Sequence, residues 1–147
     1  MESNNSLLKS NCNCHIIHNA SRIACNCLLY DVENLVQKVF AEFSNSAKKT
    51  EQLKQCFEFM NLEYQNVLRH TPTRWLSLFK AVERLILSWP AIKSYFLELG
   101  EDNCHKEIWN FIEDQENEME NDLSSYLSIS EIYLYFVHHY MNLMKLC

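Results

Sequence analysis

Thr73-Arg74-Trp75-Leu76-Ser77-Leu78-Phe79-Lys80-Ala81-Val82-Glu83-Arg84-Leu85-Ile86-Leu87-Ser88-Trp89, running on through Pro90 to Gly100, is the stretch on which the fold turns. Trp75, Leu76, Leu78, Phe79, Val82, Leu85, Ile86 and Trp89 follow the spacing that places side chains on one face of an α-helix. Thr71-Pro72 disfavours helix at Thr71, because the proline ring crowds the residue before it, and the Thr73 hydroxyl can accept from the free amide hydrogens of the next turn. Pro90 is expected to break or kink this helix and to open a short one reaching Leu99, with Gly100 as its C-cap residue.

The same pattern extends in both directions. A single glycine and two prolines in 147 residues leave few positions suited to tight turns, so the fold class expected is mainly α, a multi-helix chain. Ile16, Ile17, Ala20, Ile23, Ala24, Cys27 and Leu28 predict a first helix over Ile16 to Tyr30 with a buried stripe. Asp31 suits the N-cap of a second, with Leu35, Val36, Val39, Phe40 and Phe43 inward and Ser44-Asn45-Ser46 ending or bending it. A third, from Thr50 to about Leu68, would bury Leu53, Cys56, Phe57, Met60, Tyr64, Val67 and Leu68. Further on, Ile108, Trp109, Phe111, Ile112 and Met119 are the apolar anchors of an acidic helix. Ser128-Ile129-Ser130-Glu131 has the spacing of a capping box for a last helix to Leu146, apolar on more than one face. Residues 1–12 read as a polar, mobile tail and 13–147 as one helical domain.

The net charge of -6 argues against a broad basic face for nucleic acid. Glu98 to Asp122 holds ten acids against Lys106 alone, -9, so that of the net -6 the remaining residues carry +3. Seven cysteines, an odd number in no secreted framework, read as reduced thiols, and the localisation expected is nuclear, otherwise cytoplasmic. The richest apolar run, Ile129 to Met144, is interrupted by Glu131, His138, His139 and Asn142 and is too polar for a membrane span.

Two blocks carry candidate chemistry. Cys12-Asn13-Cys14-His15-Ile16-Ile17-His18-Asn19-Ala20 offers thiolate and imidazole donors, but structural zinc sites favour ligand pairs on a knuckle turn. Cys25 and Cys27, two apart on a helix, point to different sides. Neither a metal nor another cofactor is expected. A cysteine nucleophile beside His15 or His18 would lack an orienting acid and an oxyanion loop. In Arg74-Trp75, the guanidinium can grip a phosphate while the indole stacks on an unpaired base; equally, Trp75 can open a buried helix face with Arg74 as its solvated neighbour. The adjacent His138 and His139 diverge on a helix and cannot share a metal.

Taken in order, Cys12 to Ala20, Val39-Phe40-Ala41-Glu42-Phe43, Glu63-Tyr64, Arg69-His70-Thr71-Pro72-Thr73-Arg74-Trp75-Leu76-Ser77-Leu78, Leu97 to Gly100 and Glu131-Ile132-Tyr133-Leu134-Tyr135-Phe136 resemble proteins descended from hAT transposases. The resemblance implies a ribonuclease H-like catalytic fold, whose three separated acids hold two divalent metals, with a helical insertion between the second and third acid. It further implies that Cys14 and His18 support the active site and that Arg74 and Trp75 contact the substrate strand. No Asp precedes the Cys/His block here, Glu2 sits in the polar tail, and the third acid of the pattern finds no counterpart before Cys147. The expectation is an internal, non-catalytic fragment of a domesticated transposon protein with no catalytic residues of its own, whose activity would be binding of DNA or of a protein partner. The alternative is a helical protein-interaction module, without a DNA role, that meets a protein partner or a second copy.

Overall fold

The stripe begun at Trp75 does not stop at Pro90. In the computed structural model, which describes residues 16, 19, 23, 30–72, 75–113 and 129–144, a single helix runs over Trp75–Leu99 with Pro90 inside it. This corrects the expectation of two helices divided at the proline. An interior proline costs about 3 kcal/mol, through one lost amide hydrogen bond and a collision with the carbonyl four residues earlier. Ala91, Ile92, Tyr95 and Phe96 beyond it are all buried, as are Leu85 and Trp89 before it. Each large apolar side chain so buried contributes about 1.5–3 kcal/mol, so together they outweigh the proline.

Four other α-helices surround or adjoin this one. In chain order the described helices are α1 Val32–Ser44, α2 Ala47–Phe59, α3 Trp75–Leu99, α4 Lys106–Glu113 and α5 Ile129–Met144, with a 3-10 turn at Glu101–Asn103 and no strand among the described residues. The fold is mainly α. The long α3 packs against α1, α2 and α5, while α4 lies on α1. Phe43 stacks edge-on against Tyr95 at 4.9 Å, and Trp89 against Phe111 at 5.3 Å, joining α3 to α1 and to α4. Tyr30 meets both Phe111 and Tyr133, drawing α4 and α5 to the start of α1.

Local signals set most helix ends. The Asp31 carboxylate accepts from the Asn34 amide at 3.0 Å, and the Ser46 hydroxyl from Lys49 at 3.3 Å. Thr50 Oγ1 donates to both Phe43 O and Ser46 O, which fixes the corner between α1 and α2. Thus α2 starts at Ala47, earlier than Thr50. It also ends at Phe59, nine residues before the expected Leu68. Asn61 adopts φ 55, Asn61 N–H donates to Glu58 O, and Leu62 N–H reaches back to Phe57 O at 2.9 Å. Those paired bonds form a Schellman stop, with asparagine tolerating the left-handed position usually given to glycine. Tyr64, Val67 and Leu68 still pack against the core, though from irregular backbone, whereas Met60 is exposed.

Other expectations differ in burial. Ile16, Asn19 and Ile23 are helical, yet Ile16 is 53% and Ile23 65% exposed, which corrects the buried stripe at these two positions. Helical spacing dictates that apolar residues share a face, not that another element covers it. Phe40 is only half-buried, at the edge of an α1 face made by Val32, Leu35, Val36, Val39 and Phe43. On α5, Leu134, Val137 and Met141 are buried while Ile132, Tyr135, Phe136 and Leu143 are exposed. Thr73, Ser128, Met119 and the tail at 1–12 lie outside the described residues. No helix among the described residues is long and apolar enough to cross a membrane.

Gly100 closes α3, donating its amide hydrogen to Phe96 O at 3.1 Å with φ 79 and ψ 162. A Cβ there would meet nothing within 4 Å, so the demand for glycine is conformational only. Gly100→Ala should lower folding stability by about 1–3 kcal/mol in urea melts, the cost of a side chain in that region of φ and ψ. An unchanged midpoint would show that the turn relaxes freely.

Candidate functional site

Of the four site residues named from sequence, Cys14, His18 and Arg74 lie outside the described residues. Trp75 is placed as the first residue of α3. On either side of Arg74 and Trp75, His70, Thr71 and Ser77 are joined by hydrogen bonds. The tie centres on His70, one of two buried polar residues, with Ser88, among the described residues.

The His70 side chain is 2% exposed and touches two groups. Its Nε2 lies 3.0 Å from Glu33 Oε1 on α1, and its Nδ1 lies 2.9 Å from Ser77 Oγ in the first turn of α3. A carboxylate only accepts, so it assigns a proton to Nε2. The Ser77 hydroxyl also accepts from the Thr71 amide at 2.9 Å and donates to the Thr71 carbonyl at 3.2 Å. One hydroxyl therefore closes the loop between residues 71 and 77, and one imidazole fastens that closure to α1.

Both charge states of the imidazole satisfy this geometry. With Nδ1 bare, the Ser77 O–H turns to donate to it. With Nδ1 protonated, Nδ1–H donates to Ser77 Oγ and the hydroxyl proton turns to Thr71 O. The Thr71 amide is accepted in either case. Carboxylate, imidazole and hydroxyl stand in the order of a proton relay, but the hydroxyl accepts from the Thr71 amide and its one proton serves either His70 Nδ1 or the Thr71 carbonyl. The arrangement braces a loop.

Basic and acidic side chains both flank this loop, with Glu33 bonded to it directly. Arg69 and Lys80 are exposed, and half-buried Arg84 donates from Nη1 to Asn66 O at 3.2 Å, holding the preceding segment against α3. Glu63 and Glu83 are the nearby acids in sequence. Glu83 Oε1 stands 3.8 Å from His138 Nε2, too far for a hydrogen bond, and the His138 ring stacks on Phe79 at 4.7 Å. His139 is exposed, so the two adjacent histidines do diverge on α5.

A second polar cluster sits at the other end of α1. Glu42, whose side chain is 8% exposed, accepts from Lys49 Nζ at 2.8 Å and from the Tyr95 hydroxyl at 3.2 Å, linking α1, α2 and α3. Burial, with Glu42 close by, raises the Tyr95 hydroxyl well above its ordinary value. The Cys104 thiol is likewise pushed up, from 9.0 to about 11, by burial first and by Glu42 second. Among the described residues no group of three His, Cys, Asp or Glu side chains could hold a metal ion.

The sequence reading passed over His70 and Ser77 as chemistry. His70 stood inside the Arg-Trp block as a letter of the motif, and its partner Glu33 lies 37 residues away. Its neighbours Arg69, Thr71 and Pro72 are polar or turn-forming, so nothing local marked the imidazole as buried. No family model, curated protein or solved structure matches this chain.

Two outcomes follow. Ser77→Ala should cost about 1–3 kcal/mol in chemical denaturation, since it strands the Thr71 amide and one imidazole nitrogen together; a loss below a few tenths would show the clamp to be incidental. For Cys104, the native thiol keeps a proton that the unfolded chain surrenders near pH 9. Stability should accordingly fall as pH rises from 9 towards 11, and Cys104→Ala should flatten that part of the curve.

Proposed function

We propose that this chain is a hAT-like, transposase-derived helical piece that binds DNA without cutting it, through the loop that carries Arg74 and Trp75. The observation that carries this reading is the closure of that loop by the Ser77 hydroxyl and its fastening to α1 through His70 and Glu33. A loop held before binding loses little conformational entropy when a ligand arrives, so two contact residues suffice for useful affinity.

The chemistry of the loop favours a strand over a protein ligand. Arginine presents a planar fork matched to phosphate, and the indole beside it offers a stacking surface to an unpaired base. The loop ends where α3 begins, and the positive end of a 25-residue helix dipole adds to the attraction for phosphate. Arg69, Lys80 and Arg84 place further positive charge on the adjoining segments. The acids that give the chain its net -6 are concentrated between Glu98 and Asp122, away from this block in sequence.

Fluorescence anisotropy with single-stranded and duplex oligonucleotides tests the reading. Affinity should weaken as salt rises. Arg74→Ala should lower it with a shallower salt slope, and Trp75→Ala should lower it by about 1–3 kcal/mol, more for the single strand than for the duplex. Affinity that ignores salt and survives both substitutions would remove the DNA role.

A further inference from the structure

The last helix hides one apolar face and shows another. Leu134, Val137 and Met141 of α5 are each 1% exposed, on a helix that packs against α3. Ile132, Tyr135, Phe136 and Leu143 are instead 48% to 55% exposed. At about 100° per residue, these four project from the side opposite the buried three, with exposed His139 and half-buried Tyr140 in the same stripe. Ile132, Phe136, His139 and Leu143 follow one another at intervals of four, three and four residues, the spacing of a seam between two helices. Within the stripe the Phe136 and Tyr140 rings already stack, with centroids 6.4 Å apart.

We propose that a second copy of this chain covers this stripe, the two α5 helices lying antiparallel about a twofold axis that passes between Val137 and His138. A twofold contact sets position i against position j and j against i, so the stripe must read the same in both directions. It does: from Ile132 to Leu143 its six members are spaced three, one, three, one and three residues apart. Ile132 of one copy then faces Leu143 of the other, Phe136 faces His139, and Tyr135 faces Tyr140, so that aliphatic meets aliphatic and ring meets ring. The area fits as well. At about 200 Å² for a whole large side chain, four that are half exposed offer about 400 Å² of apolar surface per copy, or about 800 Å² for the pair. Homodimer interfaces are about 65% apolar, so the total comes to about 1,200 Å², the lower edge of stable, specific interfaces. Helix formation adds no cost on association, because burial of Leu134, Val137 and Met141 already holds α5 in place. The dimer is independent of the DNA reading, since none of these residues belongs to the loop at Arg74.

Sedimentation equilibrium of the whole chain over a concentration series tests it, with circular dichroism melts to show that each variant folds. The wild type should dimerise reversibly with a Kd on the order of ten micromolar, in keeping with an interface at the lower edge of that range. Phe136→Ser should raise that Kd about thirtyfold, as removal of a central aromatic does. Phe59→Ser, which removes an 83% exposed ring at the end of α2, should leave it unchanged. The antiparallel register has its own readout. Ile132→Glu and Leu143→Lys should each weaken the dimer, and the double variant should bind about tenfold tighter than either single, because each glutamate then faces the other copy's lysine. A wild type that stays monomeric throughout would overturn the proposal and leave the stripe to a different chain. So would a dimer that survives Phe136→Ser, one that Phe59→Ser weakens equally, or a double variant no tighter than its singles.

Discussion

Burial of a single stripe along α3 is the constraint from which the rest of the structure follows. From Leu78 through Val82, Leu85, Trp89, Ile92 and Phe96, one face of this helix meets α1, α2 and α5 in turn, and Trp89 also meets α4 through Phe111. Its continuity explains why Pro90 can lie inside a helix. A break there would uncouple two halves of the core, each too short to bury its neighbours. On the outer side of α3, Pro90, Lys93, Ser94 and Leu97 line a depression with Met60 and Glu131.

Polar groups inside this apolar body act as fasteners at two points. Glu33, His70 and Ser77 join α1 to the loop before α3, and Glu42, Lys49 and Tyr95 join α1, α2 and α3 near the opposite end of α1. Each set satisfies buried hydrogen-bonding groups that would otherwise cost about 1–3 kcal/mol apiece. Both depend on α1 lying along α3, which is why neither could form in an isolated segment. The pair at Glu33 and His70 fastens the segment that precedes α3 to α1.

Helix identity was largely legible in the residues. Asp31, the Ser44-Asn45-Ser46 break and Gly100 mark ends by side-chain and backbone chemistry that acts within a few positions, and the structure uses each of them in that way. Asn61 is the instructive failure. The apolar spacing through Tyr64, Val67 and Leu68 continued past it, and those residues do pack inward, but the chain reaches the core there without helix. Periodicity reported burial correctly and backbone conformation wrongly, because one asparagine in the left-handed region outweighed the pattern around it. At Pro90 the balance fell the other way, since the apolar face beyond the proline had a core to join.

The amino-acid sequence alone therefore determined what local forces control: a mainly helical chain, most of its caps and turns, the separation of acidic from mildly basic residues, and the presence of an Arg-Trp block after a Thr-Pro turn. Tertiary structure decided what depends on residues far apart in the chain. It made His70 a clamp by bringing Glu33 and Ser77 to its two nitrogens, kept α3 whole across Pro90, and left Ile16, Ile23 and Phe59 facing solvent. The physical reason is range. Capping bonds and helical spacing act over three or four residues, whereas burial and the pairing of buried polar groups are settled only when separate helices meet.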